Sequence, residues 1–413
     1  MRRKRALFVA YGGGHVGMIL PVIRELERLR PDIECLLMAL TTGHLKAKAV
    51  CPTLGYRDFL HLVDATAARE WGERLSKGNA SPDVPADETV AYLGINYLDL
   101  MEQYGPSGAD AFYREKGRRG FLPLHFMKRV LDEVRPDVVV ATNSPRSEQA
   151  ALETASRLGI PSIGMVDLYG LETDSYVQRA CKPDRTCVIS EVVRQRLLDR
   201  GFDASSVVVT GNPAFDGLFS ETNQRQAQRF LAEHGWQHLT PVLWAGHTEP
   251  YGHPDTPVQA GRSLPMEVER ELRGLVRKHH ELALIIRYHP SDWYTYPRLP
   301  DEARVHFSET PAEPLHPLVL AASVVVVQTS TVGLEAAVAG KTVISIENSP
   351  ASLGGFSLAK LGVSLPCANP GALAEVLGEC LHAAKTFPLA AAYRSDGKAS
   401  WRVATVVSLA CPA

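Results

Sequence analysis

Short runs rich in β-branched residues alternate with longer helical patterns along almost the whole 413-residue chain. This alternation is typical of parallel strands that are joined by crossover helices. In the first half it predicts strands at residues 6–11, 34–40, 137–142, 162–167, 186–190 and 206–211. After residue 219 the pattern begins again, and it predicts strands at 241–246, 282–289, 303–308, 323–329, 341–347 and 364–368.

A chain longer than the usual single domain that carries one pattern twice predicts two Rossmann-like α/β domains, each a doubly wound parallel sheet. We expect the first domain over residues 1–215 and the second over 220–395. Two stretches depart from the pattern: an insertion at 71–125 with one helix near 88–104, and a polar loop at 246–263. Long loops at strand ends are where open parallel sheets bind ligands.

The charge balance argues against two classes of partner. With 44 basic and 46 acidic residues the formal net charge is -2, which provides no field to attract nucleic acid or an anionic membrane. The seven cysteines are scattered and form no Cys-x-x-Cys pair, as in a reduced cytoplasmic protein. No apolar stretch approaches the roughly 18 residues of a membrane span. We therefore expect a cytoplasmic protein without a transmembrane segment. Its expected partners are small molecules or glycans and not nucleic acid, and a homodimer is an option.

The segment 323–344 places small hydroxyl residues soon after four consecutive valines. A helix that starts near Ser330 would point backbone N–H groups at the ligand edge of the sheet, where small residues let a phosphate approach. Glu335 follows within that helix, where its carboxylate could accept hydrogen bonds from ribose hydroxyls. The alternative is a helix cap followed by a surface glutamate, and the segment alone favours neither interpretation.

This segment resembles the nucleotide site of GT-B glycosyltransferases and of the related UDP-N-acetylglucosamine 2-epimerases. Ser330 is followed five positions later by Glu335 and then by AAVAGKTVI, which is especially similar to bacterial capsule glycosyltransferases. The pair His289 and Pro290 resembles the His-Pro pair that contacts the nucleotide in those enzymes. The glycine run 12–14 resembles their glycine-rich loop after the first strand, and the TGNP turn at 210–213 resembles the end of their first domain.

The resemblance implies a GT-B architecture, in which an N-terminal acceptor domain and a C-terminal nucleotide-sugar donor domain face a central cleft. It also implies that the closing segment 396–413 forms a helix that crosses back to the first domain. The residues expected to bind the donor and its nucleotide are Gly13, Gly14, Gly211, Asn212, His247, His289, Ser330, Thr331, Gly333 and Glu335.

Two residues are candidates for catalysis. His15 follows the glycine run and could act as a general base or as a donor to a sugar phosphate; a hydrogen bond at a helix start is the alternative. Asp167 ends a predicted strand and could orient or deprotonate an acceptor hydroxyl, or simply cap a turn. Asn143 also ends a strand and is expected on the acceptor side.

We expect glycosyl transfer from a pyrimidine nucleotide sugar. The reaction should be independent of metal, because the chain has no Asp-x-Asp motif for a divalent cation. No cofactor is expected; a UDP sugar is the expected donor, and CMP- and CDP-linked sugars are alternatives. A nucleotide-sugar epimerase or hydrolase is a second hypothesis, although the epimerases carry Asp where this chain has Asn143 and their Pro-Glu-Glu cluster is absent. A non-catalytic nucleotide-sugar-binding partner subunit is a third.

Overall fold

The computed structural model describes residues 3–40, 42–48, 50–77, 84–167, 169–310, 312–382 and 387–411. The chain divides into two compact units. The N-terminal unit comprises Met1–Ala214 together with Lys398–Ala413, and the C-terminal unit comprises Phe215–Gly397. The acceptor and donor roles that the resemblance implies for the two halves stay predictions.

The N-terminal unit is built on a seven-stranded sheet in which every pair is parallel. The order across the sheet is β3-β2-β1-β4-β5-β6-β7, in which the strands are β1 Lys4–Tyr11, β2 Ile33–Leu40, β3 Thr53–Leu54, β4 Val138–Thr142, β5 Ser162–Met165, β6 Arg185–Val188 and β7 Val207–Val209. Strand β4 reads VVVAT and is buried throughout, as expected of a parallel strand that is covered on both faces.

Helices cover this sheet, and the first of them buries a stripe of apolar residues in the core of the unit. The helices are α1 Gly12–Leu29, α2 Thr42–Lys48, α3 Ala65–Ser76, α4 Ala86–Lys116, α5 Leu124–Val134, α6 Ser147–Arg157 and α7 Glu191–Leu198. Short 3-10 turns lie at Arg57–Leu62 and Gly117–Gly120.

The C-terminal unit has a six-stranded, fully parallel sheet around the buried Trp244. The order is β10-β9-β8-β11-β12-β13, in which the strands are β8 Thr240–Gly246, β9 Leu282–Tyr288, β10 Val305–Phe307, β11 Val324–Val327, β12 Thr342–Ile346 and β13 Leu365–Cys367. Its helices are α8 Glu221–Glu233, α9 Ser263–Lys278, α10 Leu315–Ala321, α11 Val332–Val338, α12 Pro350–Leu353, α13 Leu373–His382 and α14 Pro388–Ala391.

The last helix, α15 Ala399–Ala410, belongs to the N-terminal unit. Its Val403 and Val407 are fully buried in the same core as Ile19 and Ile23 of α1. The end of the chain therefore contributes to the core of the unit in which the chain begins. No helix among the described residues is long and apolar enough to cross a membrane.

The predicted fold class, two Rossmann-like domains of parallel sheet, is confirmed. Each predicted strand is present, and among the described residues the pattern missed only the two-residue strand β3. The insertion is more helical than predicted, because it holds both the end of α3 and the 31-residue α4, which is kinked at Gly105. The glycine run 12–14 begins helix α1 rather than forming a loop, since Gly12, with a φ of 79°, turns strand β1 directly into the helix.

Each sheet has one point at which the strand order reverses. In the N-terminal unit, β1 lies between β2 and β4, and in the C-terminal unit, β8 lies between β9 and β11. Open parallel sheets bind ligands outside the carboxyl ends of the strands at this switch point. The candidates for ligand binding are therefore the residues that follow β1 and β4, and those that follow β8 and β11.

Candidate functional site

His15 lies at the switch point of the N-terminal unit, in the first turn of α1. Its Nε2 atom is 3.5 Å from Oδ2 of Asp167, in the segment after β5. Its Nδ1 atom is 3.1 Å from Oγ1 of Thr142 at the end of β4, and 3.8 Å from Oε1 of Glu148 in α6. The imidazole is thus held between two carboxylates that come from different connections of the fold.

The two carboxylates set the charge of His15. Burial by itself lowers the pKa of the imidazole, but hydrogen bonds to Asp167 and Glu148 and the charges of both raise it more, to about 10. His15 is therefore protonated at neutral pH. Of the two chemical roles open from the sequence, this charge favours donation to a sugar phosphate over proton abstraction.

The carboxylates keep unused acceptor atoms. The Glu148 side chain is fully buried, whereas that of Asp167 is 20% exposed. Among the described residues, neither Oε2 of Glu148 nor Oδ1 of Asp167 has a hydrogen-bond partner, although both atoms are buried. A buried acceptor without a partner costs stability, so a bound hydroxyl would relieve an existing cost. Asp167 is the carboxylate with solvent access, and it is therefore the better placed base.

Asn143 follows β4 directly. Its side-chain Oδ1 atom is buried and has no hydrogen-bond partner within the described part of the chain. Its backbone carbonyl accepts a hydrogen bond from Nη2 of Arg179 at 3.0 Å, and the Ser144 carbonyl accepts another at 2.9 Å. The Arg179 guanidinium also stacks 4.3 Å from the centroid of the Tyr176 ring. This buried arginine holds the main chain that carries Asn143.

Gly13 and Gly14 directly precede His15 in the first turn of α1, whereas the TGNP turn follows β7. A Cβ atom built on Gly13 or Gly14 would meet nothing within 4 Å, so the first turn of α1 has open space beside them. Gly211 adopts a φ of 86° after β7. The Asn212 side chain accepts a hydrogen bond from the Ala214 N–H at 3.0 Å. The structure thus gives Asn212 a place in a turn, and the nucleotide contacts of Gly211 and Asn212 stay predictions.

A buried polar network lies at the switch point of the C-terminal unit. His247, directly after β8, donates its backbone N–H to Oε1 of Gln328 at 2.9 Å. Gln328, directly after β11, is fully buried and donates its side-chain amide to Glu249. Oγ of Ser349 donates to the same carboxylate at 2.9 Å. These bonds tie together the ends of the two strands that flank the switch point.

His247 has the opposite charge state to His15. Burial lowers its pKa to about 4, the neighbouring His289 acts in the same direction, and Asp292 opposes both. The imidazole of His247 is therefore neutral at neutral pH. The neighbouring His289 donates its backbone N–H to the Gly246 carbonyl at 2.9 Å, which places His289 beside the end of β8.

The segment from Ser330 to Glu335 is partly satisfied by its own atoms. Helix α11 begins at Val332, and Oγ of Ser330 accepts the Val332 N–H at 3.3 Å. Thr331 is exposed. Gly333 is buried, and a Cβ atom there would lie 3.1 Å from the side chains of two neighbouring apolar residues, so its small size serves helix packing. The expected donor contacts of these residues stay predictions.

Glu335 is a paired carboxylate rather than a surface glutamate. Its side chain is 13% exposed, and Oε2 lies 3.3 Å from Nε2 of His316 in α10. This contact rules out the surface-glutamate alternative. It also means that a ribose hydroxyl would share the carboxylate with an imidazole.

Sequence reasoning missed Glu148, Thr142, Gln328, Glu249 and His316 as site residues. A signal existed for two of them. Glu148 lies in the first turn of the helix after β4, and Gln328 directly follows a run of four valines. Both positions belong to the switch points and could have been found once the strand order was known. The contacts of Glu249 and His316 depend on tertiary packing, for which a single sequence gives no signal.

No family model and no curated protein matches the chain. Solved structures do match it over nearly full length. The UDP-GlcNAc 2-epimerase from Methanocaldococcus jannaschii, in complex with UDP-GlcNAc and UDP, aligns with a TM-score of 0.59 at 13% identity, covering 98% of this chain and 99% of that one. This chain has the GT-B fold. The UDP-GlcNAc 2-epimerase from Neisseria meningitidis, bound to UDP-GlcNAc, aligns with a TM-score of 0.56 at 14% identity, covering 98% and 99% of the two chains.

A third solved structure, the UDP-N-acetylglucosamine 2-epimerase from Rickettsia bellii, aligns with a TM-score of 0.56 at 13% identity, covering 98% of this chain and 96% of that one. At this level of identity the similarity concerns the GT-B fold. All three structures are epimerases, and they show no particular glycosyltransferase.

Proposed function

We propose that this chain is an enzyme that acts on a UDP sugar by epimerisation at the carbon next to the anomeric centre. The observation that carries the proposal is the placement of His15 between Asp167 and Glu148 at the switch point of the N-terminal unit. Epimerisation by elimination needs several acids around the sugar, and the sequence suggested too few of them. Glu148 supplies a second carboxylate soon after Asn143, the position at which the epimerases carry Asp. The GT-B fold shared with three epimerase structures supports the same choice.

The proposed chemistry assigns one task to each group. Asp167, as the carboxylate with solvent access, takes the proton from the sugar carbon while the bond between the anomeric carbon and the UDP oxygen breaks. The electron pair of the C–H bond forms the new double bond, and UDP leaves with the pair of the broken C–O bond. The cation of His15 stabilises negative charge that develops on the leaving group. In the return step the electron pair of the double bond takes a solvent-derived proton on the opposite face of that carbon, and an oxygen of UDP forms the bond to the anomeric carbon again with its own electron pair, which completes the inversion.

The nucleotide is assigned to the C-terminal unit. In this proposal Glu335 accepts hydrogen bonds from the ribose, while Ser330, Thr331 and His289 bind phosphate oxygens. His247 contributes a neutral imidazole, which can donate or accept one hydrogen bond without adding charge. The resemblance of the segment 330–344 to known nucleotide sites is the support for this assignment.

Proton exchange tests the proposal. The purified protein is incubated with UDP-N-acetylglucosamine in D2O, and the sugar proton at carbon 2 is followed by NMR. Epimerisation requires deuterium at that carbon, and it should appear in the wild type and be lost in Asp167→Asn. UDP binding by both proteins, measured by calorimetry, is the control for intact nucleotide sites. Consumption of the UDP sugar without deuterium at carbon 2 would contradict the proposal.

Glycosyl transfer is the second candidate, and Asn143 favours it. The epimerases carry a carboxylate at this position, whereas this chain has an amide that cannot exchange a proton as an acid or base. A transferase needs one base for the acceptor hydroxyl, which Asp167 could provide, and cationic His15 could then stabilise the leaving nucleotide. Release of UDP that depends on an added sugar acceptor, with no deuterium at carbon 2, would select this candidate. UDP binding with neither reaction would select a non-catalytic binding subunit.

A further inference from the structure

An open pocket in the N-terminal unit is separate from the His15 cluster. Its volume is about 670 Å³, and it is lined by Glu115, Lys116, Gly117, Arg118, Arg119, Pro145 and Arg146. This volume lies within the roughly 300–1,000 Å³ of typical ligand pockets and far exceeds the space that a single ion needs. The pocket is formed by the end of α4, the 3-10 turn after it and the loop that follows β4.

The lining is strongly basic. Lys116, Arg118, Arg119 and Arg146 supply four positive charges, and Glu115 supplies one negative charge. The Glu115 carboxylate lies 2.7 Å from Nζ of Lys116, so these two charges largely compensate each other. No hydrogen-bond or ion-pair partner for the exposed guanidinium groups of Arg118 and Arg119 is found in the described part of the chain. The charge of the two arginines is therefore available to an anion.

Arg146, one of the lining residues, is half-buried, and a buried tyrosine hydroxyl lies within reach of its charge. The Arg146 guanidinium stacks 4.1 Å from the centroid of the Tyr11 ring, which holds it in a defined place. The Tyr92 side chain is 6% exposed, and its hydroxyl is buried with no hydrogen-bond partner among the residues described. The positive charges of Arg146 and Arg118 act on that hydroxyl.

We propose that this basic pocket binds the phosphate or carboxylate group of a saccharide other than the nucleotide sugar. Arginine recognises both groups, because its planar guanidinium matches two oxygens of either anion. The volume accommodates a sugar as well as its charged group. Arg146 also connects the pocket to the His15 cluster. Its guanidinium stacks on Tyr11, which directly precedes α1, the helix that carries His15. Along the chain, Arg146 lies between Asn143 and Glu148. If the enzyme transfers sugars, this ligand is an acidic acceptor.

Binding measured without turnover tests this pocket. Glucose 6-phosphate, glucuronate and uncharged glucose are titrated into the full-length protein by calorimetry at low salt. We expect the two anions to bind at least about tenfold more tightly than glucose, the gain of one charge-assisted hydrogen bond. The double variant Arg118→Gln/Arg119→Gln should lose that gain. The matched control is Arg24→Gln/Arg69→Gln, which removes two exposed arginines of the same unit outside the pocket.

The UDP titration decides whether the pocket binds the anionic group of a saccharide or the diphosphate of the nucleotide. We expect UDP to bind the pocket variant and the wild type equally, and we expect glucose 6-phosphate not to compete with UDP. Weaker UDP binding by the pocket variant would overturn the proposal, because the pocket would then hold the nucleotide diphosphate. Equal affinity for glucose and the two anions, or equal loss in the control variant, would also overturn it. Anion binding in a protein that turns over no UDP sugar would support the pocket and refute only the enzymatic function.

Discussion

Two histidines lie at corresponding places in the two sheets and have opposite charge states. His15 follows β1 at one switch point, and two carboxylates raise its pKa to about 10. His247 follows β8 at the other switch point, where burial and the neighbouring His289 lower its pKa to about 4. At neutral pH the first is a cation and the second is neutral. The comparison shows that the topology places the imidazole and that its neighbours decide its chemistry.

The difference has a functional meaning within the proposed reaction. The N-terminal switch point combines one cation with two carboxylates, which is a set of groups that can move protons. The C-terminal switch point is dominated by hydrogen bonds that connect His247, Gln328, Glu249 and Ser349. Such a hydrogen-bonded network suits binding, because it can orient a ligand without taking part in proton transfer. We therefore expect substitutions at the first point to lower turnover, and substitutions in the C-terminal unit to weaken nucleotide affinity.

The largest effect is expected at the N-terminal switch point. Asp167→Asn should lower turnover of the UDP sugar by roughly 10²- to 10⁴-fold, the range for loss of a general base. UDP affinity should persist, because the proposed contact of Asp167 is to the sugar carbon and not to the nucleotide. Initial rates and calorimetry on the same protein preparation measure the two quantities. Wild-type turnover in both Asp167→Asn and His15→Ala would show that the reacting groups lie elsewhere.

The next effect concerns Glu335. Glu335→Ala should weaken UDP binding by about 1.5 to 3 kcal/mol, as expected for hydrogen bonds to a charged group, with a smaller effect on turnover. His316→Ala is the matched control, because it removes the imidazole that contacts Glu335 and leaves the carboxylate itself. Calorimetric titration with UDP compares the three proteins. Unchanged affinity in Glu335→Ala would remove the ribose role from this residue.

The pH profile of turnover provides a third test. If the cation of His15 is required, activity falls as the pH rises through the pKa of about 10. Glu148→Gln removes one of the two carboxylates that raise this pKa, so the alkaline limb should move to lower pH by about 1 to 3 pH units. Rates measured between about pH 6 and pH 11 cover the alkaline limb of the wild type and that of Glu148→Gln, and so measure the change. An alkaline limb at the same pH in Glu148→Gln would show that another group titrates there.

A fourth test concerns the pH dependence of stability. The folded-state pKa of His15 is raised above its ordinary value of 6.5, so its contribution is complete below pH 6.5 and is lost as the pH rises toward 10. The folded-state pKa of His247 is lowered, so its contribution is complete above pH 6.5 and is lost as the pH falls toward 4. Denaturant melts of His15→Gln and His247→Gln should each flatten only the corresponding window. A single variant that flattens both windows would contradict the assignment.

The sequence predicted the fold better than it predicted the site. Hydrophobic runs such as VVVAT in β4 are buried on both faces, and a short apolar run between turn signals identifies such strands. His15 and Asp167 could be proposed because they lie close to strand ends, where parallel sheets bind ligands. Their charge states could not be predicted, because the pKa of His15 depends on Glu148, which is distant along the chain. Likewise, the position of Glu335 in a helix was predicted, but its partner His316 is a result of tertiary packing.

The central claim is the opposite protonation of the two switch-point histidines, and NMR titration of the imidazoles measures it directly. Histidine ring signals of the wild type are followed from below pH 4 to above pH 10, and His15→Gln and His247→Gln assign them. We predict that the His15 ring stays protonated at neutral pH and titrates near pH 10, whereas the His247 ring is neutral there and titrates near pH 4. Two ordinary titrations close to about pH 6.5, or the reverse order, would contradict the account.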